Sequence, residues 1–251
     1  MKRASVLGVA IDRISLDEAV DLALDAMDKR DSKYVVTPNS EFLLCAMHKP
    51  KLRSSAGNAF LSLPDSVGVI AVSRILGISL QERVPGVDFA EALLEKMGER
   101  GKSVFLLGAK EGIAEKAAER LEIKYPDLVI AGTNDGYYAL RDEEKLLARV
   151  NAASPDFLIV CLGSPRQELW MYKNTARLRV GLMAGLGGTM NVLAGAVDRA
   201  PQKWREAGLE WLYRVIREPK RILRVLRIPL VILVSLWYRI GGKVNEWVRE
   251  S

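Results

Sequence analysis

Apolar residues along this chain follow two rhythms. Continuous runs such as "KYVV", "SVFLLG", "FLIVC" and "GLMAG" read as strands buried on both faces. Between many of them, apolar positions recur every three or four residues over ten or more positions, which reads as helices covering those faces. Ser15-Leu-Asp-Glu18 is a capping box and predicts a first helix reaching about Met27. "KYVVTPN" predicts a strand halted by Pro38, and "SEFLLCAMHKPKLRSSAGN" two short helices joined near Pro50. "FLSLPD" is a brief extended piece, after which Asp65 or Ser66 can cap the helix "SVGVIAVSRILG".

The alternation continues with the helix "DFAEALLEKMGERG", closed by glycines, the strand "KSVFLLGA" and the helix "KEGIAEKAAERLEIKYP". A strand "LVIAGTNDGYY", a helix "RDEEKLLARVNAAS", a strand "DFLIVCLGSP" and a helix "RQELWMYKNTARL" follow, and "RVGLMAGLGGTMNVLAG" runs from strand through Gly-rich turn to helix. Strands alternating with helices in this way predict a Rossmann-like α/β fold, a mostly parallel sheet with helices on both faces. Around Val197 to Pro201 the alternation stops. Residues 1–197 therefore read as the α/β body, and 198–251 as a basic, Trp-rich helical appendage.

Composition is ordinary for a globular protein, with 49% hydrophobic and 27% charged residues among 251. The net charge of +6 matters more for its distribution: acids are plentiful through Glu168, whereas Arg and Lys dominate after Val197. An anionic partner at that end is implied, whether phospholipid, nucleic acid or a phosphorylated substrate. Cys45 and Cys161 lie in apolar runs and read as buried free thiols in a reducing compartment. The apolar stretch after the basic start breaks at Asp12, too short for a secretory segment, so a cytoplasmic location is expected.

Between Ile228 and Tyr238 the chain holds eleven uncharged residues. A bilayer crossing needs about 20, so no transmembrane helix is expected. Pro219 can restart a helix in which Lys220, Arg224 and Arg227 share one side. A basic segment beside an apolar one, with Trp237, Tyr238 and Trp247 close by, is what attachment to a membrane surface requires. A helix buried in a homo-oligomer interface is the alternative, and the two can share one surface.

In open parallel sheets, ligands bind beyond the carboxyl ends of the strands. That rule selects Thr37-Pro-Asn39, Pro64-Asp65-Ser66, Gly108-Ala-Lys110, Gly163 to Gln167, and Gly185-Leu-Gly187-Gly188-Thr189. Three of these carry glycine just before a helix, where free N–H groups and the helix dipole receive phosphate. Asp65 stands in an otherwise uncharged segment and reads as an N-cap, a general base, or both. Arg83 occupies a loop, and Arg166, Gln167 and Glu168 open a helix, where Glu is favoured in any case. The single histidine, His48, beside Lys49 and Pro50, reads as a surface residue, which leaves no Ser-His-Asp or Cys-His set. HExxH, CxxC and DxD patterns do not occur, so no metal site is signalled, and without G-x-G-x-x-G a dinucleotide-dependent oxidoreductase is disfavoured.

"TPNSEF", "LPDSVGV", "RVPGVDF", "FLLGA", "LGSPRQELW" and "GLGGTMNVLAG…RAPQKWREAGLEWLYRVIREPKR", in that order from about Val6 to Arg227, resemble the WecG/TagA/CpsF family of bacterial glycosyltransferases, the TagA type most of all. The resemblance implies inverting transfer of N-acetylmannosamine from UDP to polyprenyl-diphosphate-linked N-acetylglucosamine, in wall teichoic acid synthesis. UDP-N-acetylmannosaminuronic acid is the alternative donor. It implies Asp65 as the base with Thr37 in the site, Asn39, Arg83 and Gln167 in the pocket, and Arg214, Arg221 and Arg224 of the appendage contributing guanidinium groups. Our expectation adds backbone donors from Gly185, Gly187, Gly188 and Thr189. Neither cofactor nor metal is expected, and the protein should sit at the inner face of the cell membrane. The remaining rival is a non-enzymatic basic module binding membrane or RNA, kept open by aromatic residues among the tail's cations; no nucleic-acid partner is expected otherwise.

Overall fold

A computed structural model describes residues 2–138, 142–217, 222 and 226–240. An antiparallel hairpin, β1 (Arg3–Val6) and β2 (Val9–Asp12), leads into α1 (Leu16–Lys29). The capping box forms as the sequence requires: Glu18 N–H donates to Ser15 Oγ (3.2 Å), and Ser15 N–H to the Glu18 carboxylate (2.8 Å). Then come β3 (Lys33–Val36), α2 (Ser40–His48), α3 (Pro50–Gly57), β4 (Leu61–Ser62), α4 (Val67–Ile75) and α5 (Gly86–Gly98). The middle of the chain supplies β5 (Ser103–Gly108), α6 (Ile113–Lys124), β6 (Val129–Asn134), α7 (Glu143–Ala153), β7 (Phe157–Cys161) and α8 (Arg166–Asn174). A 3-10 turn (Thr175–Arg177), β8 (Leu182–Gly185) and α9 (Thr189–Leu193) close the body, followed by α10 (Gln202–Glu206), α11 (Glu210–Arg217) and α12 (Arg227–Ile240).

The six strands β3 to β8 form one parallel sheet in the order β4-β3-β8-β7-β5-β6. From β3 the chain moves outward to β4, and from β5 outward to β6; β7 and β8 return to fill the centre. Both faces are covered, which explains the unbroken apolar runs. Val35, Val104, Leu106, Phe157, Ile159, Leu182 and Ala184 pack under α1, α5, α6 and α9. Their alternates Tyr34, Val36, Phe105, Leu107, Leu158, Val160 and Met183 pack on the other face with α2, α3, α4, α7, α8 and the hairpin. Each fully buried side chain of this size contributes about 1.5–3 kcal/mol.

One buried charge ties the hairpin to the sheet edge. Asp12 has no exposed surface, pairs with Arg3 at 2.7 Å and accepts the Ser62 N–H at 2.7 Å. The same guanidinium donates to the carbonyls of Gly57, Ala59 and Phe60. At the opposite side of the sheet, Gly108 ends β5 with φ +127, and a Cβ there would lie 2.4 Å from the Cys161 carbonyl oxygen. Only glycine lets β5 close on β7 at that point.

Helix α12 lies against α2 and α4, with Val231 and Ser235 buried and Val231 joined to the second core. Arg227 pairs with Glu41 of α2, and Arg239 donates to the Ile75 carbonyl at the end of α4 (2.7 Å). Its other side, with the preceding turn, exposes Leu226, Leu230, Leu233, Leu236, Trp237 and Ile240. Among the described residues no helix is long and apolar enough to cross a membrane.

Candidate active site

A cleft of about 870 Å³ opens at the carboxyl edge of the sheet. Loops after all six parallel strands line it, as the topology requires, together with the Arg83–Val87 loop, Glu210 and Trp211 of α11, and Ile228 of α12. Thr37, Asn39, Asp65, Arg83, Gln167, Gly187, Gly188 and Thr189 all border this one space. Gly185 lies just behind the wall. Arg214 is on α11, one turn beyond Glu210 and Trp211. Arg221 and Arg224 lie outside the described residues.

The choice between Asp65 and Ser66 as helix cap is resolved by geometry. Ser66 caps α4, its hydroxyl accepting the Val69 N–H (3.3 Å), so Asp65 does not serve that helix. Asp65 instead accepts the Gly86 N–H at 2.7 Å, which fixes the half-buried carboxylate against the start of α5. A Cβ on Gly86 would fall 3.4 Å from Thr37 Cγ2 and 3.7 Å from Asp65 Oδ1, so the two side chains meet at this glycine.

Thr37 is nearly buried, and its hydroxyl donates to the Gly185 carbonyl (2.8 Å) across the β3–β8 pair. With the proton committed, its oxygen can only accept from a ligand. Asn39 caps α2 through Oδ1, which accepts the Phe42 N–H at 3.0 Å. Gln167 is buried and bridges two elements: Oε1 accepts the Gly187 N–H (3.0 Å), and Nε2 donates to Glu168 (2.9 Å). Gly185 leaves room for that side chain, since a Cβ would meet Gln167 Nε2 at 3.1 Å.

These bonds narrow the anion-binding expectation for the Gly-rich turn. Gly187 N–H is held by Gln167, and Thr189 N–H by the Leu186 carbonyl (3.1 Å). The Gly188 amide makes no hydrogen bond among the described residues, and a Cβ there would meet open space. Positive charge at the rim comes from Arg83, Lys110 and Arg166. Arg83 has no hydrogen-bond or ion-pair partner among the described residues. Arg166 donates to the Gly136 carbonyl (3.1 Å) and lies over the Tyr138 ring, tying the loop after β6 to α8.

The residue that sequence reasoning passed over is Glu168. It reads as an ordinary acid in the first turn of a helix, yet only 1% of it is exposed, in the wall of the cleft. Burial raises its carboxyl pKa to about 7. Both cysteines are free, as expected, but only Cys161 is buried, which pushes its thiol up to about 12; Cys45 is half-buried, since it lies off the core-facing side of α2. His48 is exposed at the end of α2, away from the cleft. Among the described residues no three His, Cys, Asp or Glu side chains are grouped to hold a metal ion.

Residues 4–245 match the family model described as "Glycosyl transferase WecG/TagA/CpsF family". The chain is also 34% identical, over 84% of its own length and 81% of the relative's, to the N-acetylglucosaminyldiphosphoundecaprenol N-acetyl-beta-D-mannosaminyltransferase of Bacillus spizizenii. The match spans the sheet, every loop of the cleft and the helices that close it. The chain belongs to the WecG/TagA/CpsF family of glycosyltransferases.

Proposed function

We propose that the protein transfers N-acetylmannosamine from UDP-N-acetylmannosamine to N-acetylglucosamine carried on a polyprenyl diphosphate, with inversion, as a step of wall teichoic acid synthesis. The observation that carries this reading is the convergence of Asp65, Thr37 and Arg83 on one cleft, in a chain 34% identical to a transferase of that name.

Asp65, oriented by the Gly86 amide, takes the proton from the acceptor 4-hydroxyl as its oxygen attacks the anomeric carbon of the donor. The bond from that carbon to the diphosphate breaks, and UDP leaves with the electron pair. Thr37 accepts a hydrogen bond from a sugar hydroxyl and keeps the ring in register. Arg83, the Gly188 amide and the appendage guanidinium groups of Arg214, Arg221 and Arg224 oppose the growing charge on UDP. Loss of one donor of this kind costs about 3 kcal/mol of transition-state stabilisation. Guanidinium suits the task because its fork matches phosphate oxygens.

The acceptor is a lipid, and the exposed apolar stripe of α12 supports docking on the inner face of the cell membrane. Leu226, Leu230, Leu233, Trp237 and Ile240 recur at helical spacing on the side facing away from the body. Basic residues of the appendage near an anionic surface add about 1 kcal/mol each. Docking there brings the appendage, which already lines the cleft through Trp211 and Ile228, to the acceptor. A panel of UDP-sugars, assayed with a lipid-diphosphate acceptor with and without anionic vesicles, tests this reading. N-acetylmannosamine should be transferred best, and faster with vesicles. Transfer of a different sugar alone would overturn the donor assignment.

A further inference from the structure

Among the described residues, three oxygens of the cleft wall are buried without a hydrogen-bond partner: Ser40 Oγ at the start of α2, and Ser164 Oγ and Glu168 Oε2. Ser164 and Glu168 both belong to the turn that opens α8, where the hydroxyl is near enough to favour the ionised carboxyl but makes no hydrogen bond of normal geometry with it. Glu168 Oε1 accepts from Gln167, whereas Oε2 meets no donor in hydrogen-bond geometry among the described residues.

Beyond orienting Gln167, the usual capping role of such an acid is closed off. Glu168 stands at the third position of α8, where a glutamate would reach back to the N–H of the cap residue, but the cap is Pro165, which has no N–H. The charged group that faces it from α2 is Glu41, a like charge already paired with Arg227. A buried carboxyl with an unmet oxygen and an acidic neighbour weakens the free protein. Such a group calls for a partner, and a ligand in the cleft can supply one.

We propose that Glu168 and Ser164 form a sugar-recognising subsite, in which Glu168 Oε2 binds a ring hydroxyl or the acetamido N–H of one of the two amino sugars. Phosphate is unsuited to this spot, because an ionised carboxylate repels it. A hydroxyl fits, since a carboxyl titrating near neutrality and a serine both donate and accept. The inference rests on the glycosyltransfer reading and deepens it by naming residues that select the sugar rather than the nucleotide.

The test compares wild type, Glu168→Gln and Ser164→Ala for KM and kcat with both substrates, and with deoxy and N-deacetylated analogues of each sugar. UDP affinity is measured in parallel as a check on the nucleotide site. Glu168→Gln should lower kcat/KM for one sugar substrate about tenfold or more, and Ser164→Ala several-fold, with UDP affinity unchanged. One analogue should lose a similar factor in wild type and almost nothing further in Glu168→Gln. Values within twofold of wild type for both variants, or analogue penalties identical in wild type and variants, would overturn the subsite. A drop in UDP affinity equal to the loss in kcat/KM would place Glu168 at the nucleotide and also overturn it. Failure of wild type to transfer any sugar would instead strike the glycosyltransfer reading on which the subsite rests.

Discussion

Replacing Glu168 by glutamine should change how stability depends on pH. Burial raises the carboxyl from an ordinary 4.5 to about 7, so between those values the folded protein holds a proton that the unfolded chain has released. Stability therefore falls as pH rises through this window, and the penalty is complete above the folded pKa. A gap of about 2.5 in pKa, at about 1.4 kcal/mol for each unit, amounts to about 3 kcal/mol at alkaline pH. Glutamine keeps the shape and does not titrate. The stability of Glu168→Gln relative to wild type should thus rise by about 2.5 kcal/mol between pH 5 and pH 8, or about 5–10 °C in Tm. Denaturant unfolding followed by tryptophan fluorescence at several pH values measures the difference. Other titrating groups, and any constant offset from the new amide, cancel in its slope. Parallel stability curves for the two proteins across that range would show that Glu168 is not held in a water-excluding wall.

Two further outcomes follow from the fold and the appendage. Asp12→Ala removes the buried acid that ties the hairpin to β4 and strands the Ser62 N–H; unfolding experiments should show a loss of about 3–5 kcal/mol. The double substitution Leu233→Glu with Trp237→Glu alters only exposed positions of α12. It should leave thermal stability within about 0.5 kcal/mol of wild type while abolishing cosedimentation with anionic vesicles; retained cosedimentation would remove the stripe from the membrane contact.

The legible parts of this molecule are those whose causes are local. The Ser15–Glu18 capping box, the helix break at Pro50 and the doubly buried strands all declare themselves within a few residues. The site loops were legible for a topological reason, because a parallel sheet places every strand-to-helix turn on one edge. Strand order was not legible, since long crossovers leave no trace of which strands become neighbours. The competition between Asp65 and Ser66 for one helix end was also undecidable locally; the Gly86 N–H that claims Asp65 comes from 21 positions away. The Gly-rich turn looked like a set of free amides until Gln167, remote in sequence, was found to occupy one of them. Glu168 was missed because a first-turn glutamate is common. A signal was nevertheless present, as Pro165 at the cap position denies that glutamate its usual partner. Which side of α12 faces the body was likewise hidden, because its apolar run is nearly continuous.

The central claim is that Asp65 removes the acceptor's proton during sugar transfer. Its most direct measurement is transfer of radiolabelled N-acetylmannosamine from UDP to a lipid-diphosphate-linked N-acetylglucosamine by wild type and by Asp65→Asn. Asparagine can still accept the Gly86 N–H, so the loop stays in place while the base is lost. The account predicts a fall in kcat of about 10²–10⁴-fold with unchanged stability. Near-normal turnover by Asp65→Asn would contradict it.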